Sequence, residues 1–116
     1  MQITERRIGH ATILDLVGEL TYANRAAFKA VVERTKQAGC RNLIINMEGV
    51  RFLDSSALGM LALSSQSFKS MQGVVSLLNP RSYVREIITL ANLHRLLPVY
   101  NTEQDALAGR SLPVAG

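Results

Sequence analysis

The sequence predicts a single α/β domain: a mixed, mostly parallel sheet of roughly four to five strands, begun by an N-terminal hairpin and covered by about four helices. Three observations predict it. Segments of strand and helix character alternate along the chain, the order that builds a parallel sheet joined by helical crossovers. Two short apolar runs, Leu43-Ile44-Ile45 and Val74 to Leu78, have the composition of strands buried on both faces. Between them, Asp54-Ser55-Ser56 stands directly ahead of an apolar-periodic run, as a helix start does. A chain of 116 residues is one domain by length and can bury a core without disulfide or metal.

The elements follow in order. Gln2 to Arg7 alternates weakly and Ala11 to Leu20 is rich in Ile, Leu and Val; with Gly9-His10 between them they form a hairpin. Gly18 inside the second run marks a bulge or a close backbone approach. Asn24 is placed to cap a helix with Ala27, Phe28, Val31, Val32 and Ala38 inward and Arg25, Lys29, Glu33 and Lys36 outward, stopped by Gly39. A strand runs from Asn42 to Met47. A helix from Ser55 to Gln72 follows the Asp54 turn, and Gly73 precedes the strand Val74 to Leu78. After Asn79-Pro80, Arg81 to Leu93 reads as a helix with Val84, Ile87, Ile88 and Ala91 inward. Leu96 to Val99 is a last short strand, Pro98 belonging at an edge or strand start. Thr102 caps a final helix through Ala108. The domain is expected over residues 1–108, with Gly109 to Gly116 a flexible tail.

Composition excludes several classes. No apolar run approaches the roughly 18 residues that cross a bilayer, and the N-terminus lacks the apolar centre of a signal peptide. The expected location is the cytoplasm, without membrane insertion. Cys40 is the sole cysteine, so no internal disulfide is available and Cys40 reads as a buried small residue. The net charge of +4 comes from basic residues scattered along the chain, not from a clustered patch, which argues against nucleic-acid binding. His10 lies in a turn and His94 at a helix end, neither with the acid and nucleophile a hydrolase needs, and no glycine-rich phosphate loop is present. The protein is read as no enzyme, with no catalytic residue, cofactor or metal.

The candidate site is the start of the central helix. Asp54 reads as its cap. Ser56 falls in the first turn with its hydroxyl outward, where unpaired amides and the helix dipole favour added negative charge, good chemistry for a phosphoserine; Ser55 is the alternative. Ala57, Leu58, Met60, Leu61, Phe68 and Met71 fall on the core side, and Ser56, Gly59, Leu63, Gln66 and Ser70 opposite them. An exposed helical Gly59 costs about 1 kcal/mol relative to alanine. Either a neighbouring loop passes close or the turn is irregular, or the glycine leaves room for another protein beside Ser56.

Gly18-Glu19-Leu20, Leu43-Ile44-Ile45-Asn46-Met47 and above all Asp54-Ser55-Ser56-Ala57-Leu58-Gly59, behind Val50-Arg51-Phe52-Leu53, resemble the STAS family, the domain of bacterial anti-sigma factor antagonists. The likeness covers about Gln2 to Ala108. It implies that the unphosphorylated protein binds an anti-sigma factor, often a serine kinase, that phosphorylation of Ser56 separates the pair, and that a PP2C-type phosphatase restores the binding form. The implied partner surface is Thr21, Ser55, Ser56, Gly59, Leu63, Gln66 and Ser70, on a protein that is a monomer when free. Two positions depart from the common pattern: Thr21 stands where many members have aspartate, and Ala57 where glycine is common. A different role within the same family is a constitutive subunit of a membrane ABC transport complex, without phosphorylation.

Overall fold

The computed structural model describes Met1–Gly109, and its N-terminal segments form the hairpin that the alternation predicts. Strands β1 (Gln2–Ile8) and β2 (Ala11–Leu20) pair antiparallel from Ile8 opposite Ala11 to Gln2 opposite Val17. The chain reverses at Gly9, whose φ of +61° suits a residue without a Cβ. From β2 onward the pairing is parallel, to β3 (Asn42–Leu53), then β4 (Val74–Leu78), then β5 (Val99–Tyr100), in the spatial order β1-β2-β3-β4-β5. Helices α1 (Arg25–Gln37), α2 (Ser55–Lys69), α3 (Ser82–Leu90) and α4 (Glu103–Ala108) complete the domain.

The sheet is buried on both faces, which is why Leu43, Ile44 and Ile45 are all fully inaccessible. On one face Leu14, Leu16, Leu43, Ile45 and Leu77 pack with Phe28 and Val32 of α1, Ala57, Leu61 and Phe68 of α2, and Val84 and Ile88 of α3. On the other, Ala11, Ile13, Ile44, Leu78 and Tyr100 pack with Ala106 of the short α4. Arg6 fastens α4 there: its guanidinium meets Asp15 at 2.6 Å and Glu103 at 2.9 Å, while Asn46 donates to Asp15 at 2.7 Å.

Both readings of Gly18 hold at once. The register against β3 shifts between Gly18 and Glu19, and a Cβ at Gly18 (φ +119°) would stand 3.3 Å from the Met1 Cα.

Four elements differ from expectation. Strand β3 runs to Leu53 rather than Met47, because β2 keeps pairing beside it as far as Leu20 opposite Leu53. Helix α2 ends at Lys69, Ser70 being its C-cap. Helix α3 ends at Leu90: Asn92 takes a left-handed conformation at φ 60°, and a separate 3₁₀ turn follows over Leu93–Arg95. The last strand is Val99–Tyr100, beginning just after Pro98, with Leu97 fully buried ahead of it. Gly109 closes α4 in a left-handed C-cap, and the remainder of the expected tail lies outside the described residues.

Candidate functional site

The equal ends of β2 and β3 create the site. Leu20 and Leu53 lie opposite one another, so the residues that follow each of them meet at the carboxyl rim of the sheet. The amide of Asp54 donates to the Leu20 carbonyl at 3.3 Å, and the two chains then diverge into α1 and α2.

Asp54 joins them. One carboxylate oxygen, Oδ1, accepts the Ala57 N–H at 3.0 Å and so caps α2; the other, Oδ2, accepts the Tyr22 N–H at 3.1 Å, 32 positions away in sequence. The Tyr22 amide above all, with the Ala57 and Ser56 amides adding, holds the Asp54 carboxyl below its ordinary value, against an opposing desolvation. Asp54 is thus a cap, as its place in the sequence implies, and also a staple between two loops.

The loop it staples is itself braced. Asn24 Oδ1 accepts from the Thr21 amide at 3.0 Å and from the Thr21 hydroxyl at 3.2 Å. Asn24 therefore spends its side chain on the 3₁₀ turn Tyr22–Asn24 and makes no side-chain cap to α1, a correction to the simple capping role. Thr21 is half-buried in this turn. Arg25 donates to the Tyr22 carbonyl at 2.9 Å and lies 3.6 Å from the centre of the Tyr22 ring, an exposed cation-π pair beside the site. Tyr22 and Arg25 escaped the sequence reading, because they reach the site only through the pairing that sets Leu20 opposite Leu53.

On α2, Ser55 is exposed and Ser56 half-buried in the first turn, and among the described residues the Ser56 hydroxyl makes no hydrogen bond. Gly59, Leu63, Gln66 and Ser70 are all exposed, Leu63 to 66 %. Among the described residues a Cβ at Gly59 would meet nothing within 4 Å, so no neighbouring loop among them accounts for the glycine. The turn is regular helix, so irregularity does not account for it either. Ala57, Leu61 and Phe68 are buried as placed, and Leu58, Met60 and Met71 half-buried. Two serines go under with them: Ser64 donates to the Met60 carbonyl at 2.9 Å and Ser65 to the Leu96 carbonyl at 3.0 Å, the second tying α2 to the loop after α3.

His10 and His94 are exposed and neither bonds to Ser56. His10 stands at the opposite end of β2, about 30 Å from the rim at strand rise. Cys40 is buried and donates to the Asn42 carbonyl at 3.3 Å. Among the described residues no His, Cys, Asp and Glu side chains gather as a metal site requires, and no helix is long and apolar enough to cross a membrane.

Comparison with known proteins agrees with this architecture. The STAS domain model matches residues 2–106. A Thermotoga maritima protein named “Putative anti-sigma factor antagonist” is 28% identical over 90 residues, covering 77% of this chain and 80% of that protein. A crystal structure of a Thermotoga maritima protein of that description superposes with a TM-score of 0.86 at 25% identity, covering 92% of each chain. The Bacillus cell fate determinant SpoIIAA in its phosphorylated form shares the fold, with a TM-score of 0.73 at 22% identity over 93% of this chain and 98% of that one. With its hairpin, its parallel strands and its capped central helix all inside the matched span, the chain belongs to the STAS domain family.

Proposed function

We propose that the protein is an anti-sigma factor antagonist switched by phosphorylation of Ser56. The observation that carries this reading is the position of one hydroxyl. Ser56 lies in the amide-rich first turn of α2, its hydroxyl making no hydrogen bond among the described residues, beside the open surface of Gly59 and the exposed Leu63.

A phosphoryl group there adds nearly two negative charges. The helix terminus accommodates them, since an anion at this position is favourable by roughly 0.3 to 1 kcal/mol. Covered by a docked protein without a cationic partner, the same charge costs several kcal/mol, enough to end binding. One chemical event therefore leaves the fold standing and separates the complex. The unphosphorylated form binds an anti-sigma factor that is also a serine kinase, ATP-dependent phosphorylation releases it, and a PP2C-type phosphatase resets it. Asp54 sets the geometry by fixing the α2 terminus against the Tyr22 loop, and the module acts in the cytoplasm without catalysis of its own. The names of the curated relatives and the phosphorylated form of SpoIIAA support this reading.

Phosphopeptide mapping after incubation with the cognate kinase and ATP tests it. Label is expected on Ser56 and absent from Ser56→Ala. Undiminished labelling of Ser56→Ala would move the site, with Ser55 the next position to examine. Binding that is indifferent to Ser56→Asp, together with co-purification with an ABC ATPase, would replace switching by a constitutive transport role.

A further inference from the structure

Helices α1 and α2 lie side by side on one face of the sheet, and a groove of about 600 Å³ runs between them. Its lining includes Phe28 and Val32, both buried, and the half-buried Met60; Leu63 stands on its α2 side with most of its surface in solvent. This is a furrow of apolar side chains of the kind that receives a helix or a short amphipathic strand.

Its charge is one-sided. Arg25 and Lys29, one turn apart on α1, both line the groove and both are exposed. Neither forms an ion pair among the described residues, Arg25 resting instead on the Tyr22 ring and carbonyl. Among the described residues the lining contains a single carboxylate, Glu33, and it already faces Lys36 at 3.8 Å. Lys36 also donates to Ser67 at 2.7 Å, bridging the two helices at that end of the groove. The other end lies by Arg25 and Met60, one turn beyond Ser56.

We infer that this groove receives an acidic amphipathic segment of the partner, its apolar side chains lowered between the helices and its carboxylates set against Arg25 and Lys29. Charge complementarity selects this occupant: two cations with no carboxylate partner among the described residues border an apolar floor whose one carboxylate is already paired. Assigning the segment to the anti-sigma partner rests on the reading of Ser56 given above; the groove and its charge do not. Together they supply a second way for phosphate to act. A phosphoryl group on Ser56, one helical turn before the groove-lining Met60, would add negative charge toward that end of the groove and so repel the acidic segment.

The test uses the full chain and a synthetic helix-forming peptide of about four turns, with leucines three and four residues apart and glutamates flanking them, beside a twin carrying lysine for glutamate. Amide chemical-shift mapping reads where each binds. The acidic peptide is expected to shift amides of α1 and α2 along the groove and to bind about tenfold tighter than the lysine twin at low salt, the gap closing as salt screens it. The double variant R25E/K29E, at two exposed positions, is expected to invert that preference while its circular dichroism stays unchanged.

Equal affinity for the two peptides, or shifts away from the groove, would overturn the inference. Displacement of the acidic peptide by a long-chain fatty acid that binds the groove more tightly would assign it to a lipid. Concentration-dependent dimerisation that shifts the same amides would assign it to a second copy of the chain. Because no kinase and no phosphate enter this experiment, its failure leaves the Ser56 switch standing, and failure of Ser56 labelling leaves the groove result standing.

Discussion

Replacing Gly59 by alanine makes the free domain more stable and its complex weaker. Glycine within a regular helix is less favourable than alanine by about 0.8 to 1 kcal/mol, through its larger loss of backbone freedom. Here nothing among the described residues offsets that cost, since the added Cβ meets none of their atoms within 4 Å. The full propensity gain of about 1 kcal/mol should therefore appear, raising the melting temperature by about 4 °C for a domain of this size. Urea unfolding at neutral pH measures the first, and calorimetric titration with the anti-sigma partner the second. Gly49→Ala is the control of opposite sign. Its Cβ would lie 2.6 Å from the Leu16 carbonyl oxygen and 3.3 Å from the Val17 Cα, both backbone atoms of β2, so the strands must part at a cost of roughly 1 to 3 kcal/mol. A less stable Gly59→Ala would refute the open-helix account. A more stable one with unchanged partner affinity would remove Gly59 from the interface.

Four further outcomes are expected. Asp54→Asn keeps one side-chain carbonyl oxygen and Asp54→Ala none, so hydrogen exchange at the Tyr22 amide accelerates in Asp54→Ala, whereas the Ala57 amide, which also donates to the Asp54 main-chain carbonyl at 3.1 Å, stays partly protected. The Asp54 and Asp15 carboxyls both titrate below their ordinary value of 3.8 in the folded state, so each contributes stability above that pH that is lost as pH falls through its folded value; acid unfolding measured from pH 5 downward should be shallower in Arg6→Ala, because the Arg6 guanidinium is the chief cause of the Asp15 shift. Arg6→Ala also loosens α4, at about 1 kcal/mol since Arg6 is more than a third exposed, and exchange within Glu103–Ala108 reports it. Ser76→Ala, which removes a buried hydroxyl with no hydrogen-bond partner among the described residues, is expected to stabilise the domain by about 1 kcal/mol in the same urea assay.

Much of the fold was legible because its punctuation is local. Gly9, Gly39, Pro98 and Thr102 act through their own backbone or their nearest neighbours, and each ends or begins an element as its chemistry dictates. What escaped depends on partners distant in sequence. Strand β3 continues through Glu48, Gly49 and Arg51, where the apolar run has ended, because β2 supplies a pairing edge there that no window of the sequence displays. On α1, Ala27 and Ala38 are exposed and Thr35 buried, the reverse of what their polarity implies; the Thr35 hydroxyl donates to the Val32 carbonyl at 2.8 Å and so is satisfied inside. The site divides in the same way. The Asp54 cap and the outward side of α2 follow from helix chemistry alone, whereas the Tyr22 contact and the α1–α2 groove exist only once β2 and β3 have brought the two helices together.

Comparing the protein that carries phosphoserine at position 56 with its unmodified form tests the proposed switch itself. Two nearly superimposable amide spectra are expected, differing around the α2 terminus and the Tyr22 loop, with stabilities within about 1 kcal/mol of each other and loss of anti-sigma binding in the phosphorylated protein alone. Undiminished binding by the phosphorylated protein, or its unfolding, would contradict it.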